Sequence, residues 1–142
     1  MPARTNAARA WVALLAAVLL VVSGCTQDEQ YAPVKGRVTL DEKPLVGVKV
    51  WFFPTDGGDL PPATGLTDDE GVYQLTSNNG KSGAPVGKHR VIVNWPLRER
   101  GTDDRSNPPP VIPARYTQAA DTPFQFDVKP GEQTINLAMK AK

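Results

Sequence analysis

The chain has 142 residues, with 16 Lys+Arg against 15 Asp+Glu, one histidine and one cysteine. Charge this close to balance, with the basic residues spread along the chain, excludes the clustered basic face of a nucleic-acid binder. One cysteine leaves no internal disulfide and no multi-thiolate metal site, so the fold has to be held by packing.

Arg4 and Arg9 precede an apolar run from Trp11 to Val22, and Val22-Ser23-Gly24-Cys25 closes it before the polar Thr26-Gln27-Asp28-Glu29. A charged start, a short apolar segment and a small-residue cleavage site are the parts of a secretory signal. The run has twelve residues, short of the roughly 20 that a membrane-spanning helix needs. Val22-Ser23-Gly24-Cys25 resembles the bacterial lipoprotein box. The resemblance implies that the signal is cut between Gly24 and Cys25, and that the Cys25 thiol carries a diacylglyceryl group and the new N-terminus an acyl chain such as palmitate. Two or three acyl chains make a lasting anchor where one holds marginally, at about 0.8 kcal/mol per buried methylene. The expected organisation is a signal peptide over 1–24, a lipidated tether over 25–32 and one domain over 33–142. Without the signal, 14 basic residues face 15 acidic ones in 118 residues, enough for one modest core.

The domain is read as strands. Val34, Gly36, Val38 and Leu40 alternate with Lys35, Arg37 and Thr39, the period-two pattern of a strand with one wet face. Asp41-Glu42-Lys43-Pro44 is turn chemistry. In the next strand Val46, Val48, Val50 and Phe52 share one face, and Gly47, Lys49, Trp51 and Phe53 the other. Pro54 to Pro62 interrupts. Ala63 to Thr67 runs into the turn Asp68-Asp69-Glu70-Gly71, and Val72 to Thr76 returns with Tyr73 and Leu75 inward. From Lys88 to Trp95, His89, Val91, Val93 and Trp95 share one side. Pro96 to Pro113, eighteen residues with Pro108-Pro109-Pro110, is expected to be a mobile loop. Phe124, Phe126 and Val128 alternate in another strand, and Ile135, Leu137 and Met139 point inward from the last. No helical period stands out. Seven or eight short strands with this patterning predict an all-β, antiparallel two-sheet sandwich.

Val34-Lys35-Gly36-Arg37-Val38 with Lys43-Pro44-Leu45-Val46-Gly47-Val48-Lys49-Val50 resembles the opening hairpin of carboxypeptidase regulatory-like domains, a transthyretin-like β-sandwich family. Thr67-Asp68-Asp69-Glu70-Gly71-Val72-Tyr73-Gln74-Leu75 and Gly83-Ala84-Pro85-Val86-Gly87-Lys88-His89-Arg90-Val91-Ile92-Val93 are similar to its following segments. Pro113-Ala114-Arg115-Tyr116 and Val128-Lys129-Pro130-Gly131 resemble motifs of small lipoproteins built on that domain. Glu42 stands where the family usually has glycine, so the first turn need not be a tight type I′ hairpin. The resemblance implies a transthyretin-like fold and hardly constrains activity.

Candidate sites follow from residue chemistry. Asp68, Asp69 and Glu70 are hard-cation ligands by type, but the spacing fits a solvated turn in which Asp68 bonds its own backbone. His89 has no nucleophile or second ligand in view. Transthyretin-like folds include a purine-pathway hydrolase ending in Tyr-Arg-Gly-Ser; this chain ends Asn136-Leu137-Ala138-Met139-Lys140-Ala141-Lys142. Lys35 and Asn136 resemble the partners of sandwich domains that form a Lys–Asn isopeptide bond. Gly47 is expected to let a neighbouring backbone pass close, and Gly71 to take a positive φ. Trp51 and Phe53 are the candidate ligand-stacking residues, for a sugar ring or a partner protein if exposed. The alternative, favoured because large aromatics are so often core residues, is that the other sheet and the Pro96–Pro113 loop cover both faces of their strand. With no catalytic constellation, metal or cofactor expected, the chain reads as a non-enzymatic, exported, lipid-anchored module of the bacterial cell envelope. It contacts the membrane through its lipid and an envelope protein or glycan through its surface. The alternatives are a carbohydrate-binding module using exposed aromatics and, further off, a transthyretin-like hydrolase.

Overall fold

The computed structural model describes residues 30–97 and 108–142; the expectations for the signal segment, Gly24, Cys25 and most of the tether lie outside them. Two five-stranded sheets and one two-stranded ribbon account for the strands. The larger continuous sheet contains β4 (Lys49–Pro54), β5 (Ala63–Leu66), β7 (Thr76–Ser77), β9 (Gly87–Asn94) and β10 (Gln125–Val128), in the order β10-β9-β4-β5-β7. The other is built around β2 (Val34–Leu40), with β3 (Lys43–Pro44) and β6 (Val72–Gln74) on one side and β11 (Gln133–Thr134) and β12 (Leu137–Met139) on the other. β1 (Tyr31–Ala32) pairs with β8 (Ala84–Pro85). One helical turn, α1 (Ala114–Thr117), packs beside β9.

The expected alternation is what builds the core. Val34, Val38 and Leu40 of β2 meet Val50 and Phe52 of β4 and Val91 and Val93 of β9 in one buried cluster, joined by Tyr73, Val128, Leu137 and Met139. Each such side chain contributes roughly 1.5–3 kcal/mol when fully buried. The chain is therefore all-β, with two sheets facing across a shared core.

Four details depart from the sequence reading. Twelve strand segments are present among the described residues, seven of three residues or more and five of only two. The sheets are not purely antiparallel: β11 and β12 both pair with β2 in parallel, Gln133 opposite Val34 and Leu137 opposite Val38. Alternation reports which face a residue takes and not which strand lies beside it. The strand expected from Val46 starts at Lys49, because Gly47 has φ +73° and turns Val46 out to 46% exposure. A Cβ on Gly47 would meet nothing within 4 Å, so the backbone angle and not a close approach calls for glycine there. At the first turn Asp41 and Glu42 both have positive φ, 49° and 69°, while Leu40 pairs Lys43. That is a two-residue turn of type I′ character formed without glycine.

The Pro96–Pro113 segment is expected to be a loop, and its residues 98–107 are not among those described. Its C-terminal part is fastened down: Ile112 is buried and Trp95 Nε1–H donates to the Pro110 carbonyl at 3.0 Å. Asn94 and Thr122 then bind the α1 segment along the upper half of β9. Asn94 Nδ2 reaches Thr117 O at 3.4 Å, and Thr122 Oγ1 donates to Val91 O at 2.6 Å.

Candidate functional site

The pleat that sends Val50 and Phe52 inward turns Lys49, Trp51 and Phe53 onto the outer face of the large sheet. Pairing then fixes their neighbours. Trp51 lies between Thr64 of β5 and Ile92 of β9, Lys49 between Leu66 and Asn94, and Phe53 beside Arg90, which in turn pairs Gln125. Lys49, Trp51, Phe53, Ile92, Asn94, Trp95, Pro96 and Leu97 line an open groove of about 700 Å³. Ile92, only 8% exposed, forms its floor, while Leu97 at one end and Leu66 beside Lys49 are open to solvent.

Trp51 and Phe53 are half-buried, and both contribute to this groove. Their rings are parallel to within 3°, with centroids 5.8 Å apart. On the i−2 side, Lys49 Nζ sits 4.4 Å from the centroid of the Trp51 ring. The three side chains form one row along the strand, with the indole between an aromatic ring and an ammonium. A cation over an aromatic face is held by the ring quadrupole, at about 0.5–1 kcal/mol when exposed. The methylene stem of Lys49 also covers apolar surface that would otherwise face water. The indole N–H of Trp51 has no hydrogen-bond partner among the described residues.

His89 lies on β9 at 1% exposure, with its ring 5.8 Å from that of Phe52 and with Phe126 of β10 as its strand partner. Its Nδ1 is 2.9 Å from the Gly87 carbonyl, which can only accept, so Nδ1 carries the proton. Nε2 is left buried without a partner. Burial pulls the imidazole below its usual pKa, offset in part by the Gly87 bond and by Asp56 and Asp127. The ring is a neutral core residue.

The other candidates are set apart from the groove. Asp68 Oδ1 accepts from the amides of Glu70 and Val72, each at 2.9 Å, while Gly71 takes φ +76°. The acidic turn is closed by its own backbone. Lys35 is exposed and pairs with Glu132 at 2.6 Å, which holds the Glu132 carboxyl below its usual range. The Asn136 side-chain oxygen accepts from the Arg37 amide at 2.9 Å. Both partners of the isopeptide idea are thus engaged elsewhere on a solvent-facing surface. Among the described residues no group of three or more His, Cys, Asp or Glu is placed to hold a metal, and no helix is long and apolar enough to cross a membrane.

Sequence alternation placed Lys49, Trp51 and Phe53 on one face of their strand but did not bring Ile92, Asn94, Trp95, Pro96 and Leu97 beside them. The only available signal was two strands, 49–54 and 87–94, each carrying large residues on both faces, as expected of central strands. Which residue of one strand stands opposite which of the other is set by register. Compared with known proteins, the chain matches no family model, no curated protein and no solved structure.

Proposed function

We propose that this chain is a lipid-anchored, non-enzymatic binding module of the bacterial cell envelope, built on a transthyretin-like sandwich of the carboxypeptidase regulatory-like kind. The observation that carries the binding part is the groove on the outer face of the large sheet, where the Lys49–Trp51–Phe53 row and Ile92 gather on two central strands and Leu97 follows just beyond β9. Large apolar side chains gathered at a solvent-open concavity are a recurrent mark of an interaction site. The anchoring part rests on Val22-Ser23-Gly24-Cys25 at the end of a short apolar run. The non-enzymatic part rests on His89, whose buried ring packs against Phe52 and is bonded to its own strand.

Sugar stacking is the weaker reading of the same groove. A pyranose needs an open aromatic face, and Trp51 has Phe53 parallel to it and Lys49 over it. Two measurements test the proposal. Mass spectrometry of the native N-terminus is expected to find a diacylglyceryl-modified Cys25; a mature chain starting at another, unmodified residue removes the anchor. A photo-crosslinking amino acid at Leu66 in living cells is expected to give a discrete adduct that Trp51→Ala abolishes. Crosslinking no stronger than from Thr134, on the other sheet, removes the groove.

A further inference from the structure

We infer that the groove takes an extended acidic peptide segment, with two carboxylates four residues apart flanking an apolar side chain. This rests on the proposal that the groove is a docking site, and adds the chemistry of its occupant. Among the described residues, the strands of the large sheet put three cations on its outer face, Lys49, Lys88 and Arg90, and one carboxylate, Asp127, opposite Lys88. The cations are not scattered. Lys49 stands at one end of the Trp51–Phe53 row, and Arg90 stands beside Phe53 at the other.

From the Lys49 row to the Phe53–Arg90 row is four residues along β4, or about 13 Å at roughly 3.3 Å per residue. Between them lies the Trp51–Ile92 row, which is apolar. An extended segment laid along this face presents residues i, i+2 and i+4 to it. The matching order is carboxylate, apolar, carboxylate. Arg90 spends one N–H on the Ala119 carbonyl at 3.3 Å, leaving the rest of its guanidinium fork to receive an acid. Lys49 Nζ has the Trp51 ring as its partner, and a carboxylate offers it a stronger one.

Other occupants fit less well. A cationic ligand would meet like charge at both ends. A sugar would find the indole face taken. A membrane surface engages protruding apolar side chains, whereas Ile92 and the Trp51–Phe53 row lie on the floor and wall of a concavity.

The test uses the full chain purified in detergent and five probes. The first is a labelled nine-residue peptide with Glu at positions 3 and 7 and Leu at position 5. The others are its Gln and Lys analogues, a neutral β-linked oligosaccharide, and phosphatidylglycerol vesicles. By fluorescence polarisation and competition, the Glu peptide is expected to bind about fivefold or more tightly than the Gln analogue, as charge-assisted contacts imply. Lys49→Gln is expected to reduce that preference, Lys49→Gln with Arg90→Gln to erase it and Lys49→Arg to keep it, with unchanged circular dichroism. Equal binding of the Glu and Gln peptides, lost in Trp51→Ala, overturns the acidic specificity while the docking site stands. Binding of the oligosaccharide or vesicles in preference to the Glu peptide overturns the inference in favour of that class. If no probe binds, the inference falls, and with no crosslink from Leu66 the docking site falls too.

Discussion

Replacing Gly36 with alanine is expected to be among the most damaging small changes available to this fold. Gly36 sits in the middle of β2, paired with Tyr73 of β6. A Cβ built on it would stand 1.8 Å from the Ile135 carbonyl oxygen and 3.0 Å from Tyr73 Cε1. Real carbon–oxygen contacts rarely fall below 3 Å, so the Ile135 backbone would have to retreat by more than an ångström. That carbonyl accepts the buried Tyr73 hydroxyl at 2.5 Å, and the Ile135 amide donates to Lys35 O at 2.8 Å. The displacement therefore breaks the bond that satisfies a tyrosine whose burial already pushes its hydroxyl pKa far up. Overpacking costs about 1–3 kcal/mol and a buried polar group left unmet about 1–3 kcal/mol. Together they predict a loss of roughly 2–6 kcal/mol, a large share of the roughly 5–15 kcal/mol that holds a domain of this size. Tyr73→Phe alone is expected to cost about 1–2 kcal/mol. Because both changes act on one carbonyl, the double variant is expected to fall short of additivity by about 1 kcal/mol. Urea unfolding followed by tryptophan emission, with constant m, measures all three. A Gly36→Ala cost below about 0.5 kcal/mol, or strict additivity with Tyr73→Phe, refutes the idea that the glycine exists to admit the Ile135 carbonyl.

His89 predicts an acid-sensitive core. Its pKa is lowered by burial, so below the unfolded value of 6.5 the unfolded chain takes a proton that the native ring refuses. Stability should be flat above about pH 7.5 and fall as pH drops through 6.5, with a slope of up to about 1.4 kcal/mol per pH unit. His89→Gln removes the only histidine and should flatten unfolding midpoints between pH 5.5 and 7.5; an unchanged slope would locate the titration elsewhere. Glu42→Gly should raise stability by about 0.5–1 kcal/mol by relieving a positive φ of 69° at a non-glycine residue; a lower thermal midpoint would contradict the turn geometry. Asp68→Ala removes the acceptor of two amide bonds and should cost about 1–2 kcal/mol in the same unfolding assay. Full retention of stability, or a calcium-dependent loss, would overturn its role as a closed turn.

How far the sequence could be read depends on what kind of information each feature needs. Inward rows such as Val34, Val38 and Leu40, or Val91 and Val93 with the buried His89, follow from local alternation, and the core is built from them. The Asp68 turn was equally legible, because Asx chemistry and a positive-φ glycine operate within five residues. The parallel return of β11 and β12 beside β2 was not, since Val34 and Gln133 are brought together by topology across almost the whole domain. Two-residue pairings such as β1 with β8 carry too few side chains to leave a pattern. At the groove, Trp51 and Phe53 could be placed on the outer row, but their state hung on Lys49, two residues away. Spacing brings an ammonium within reach of the ring without saying that it lies over it.

That ammonium changes what the aromatic pair can do. Bare Trp51 and Phe53, with Leu66 and Leu97 exposed beside them, would form the kind of contiguous apolar surface that drives non-specific association. Lys49 covers one indole face and keeps its charge in water, which lessens the apolar surface the groove presents. The same arrangement imposes a condition on any occupant, which must give the ammonium a better partner than the ring. A carboxylate meets that condition because a charge-assisted hydrogen bond exceeds an exposed cation–π contact. A neutral ring does not, because it would have to displace the ammonium and leave it solvated with no new partner. Under the inference of an acidic segment, selectivity arises from the resting state of the site as well as from the bound one: the covering group is also the recognition group.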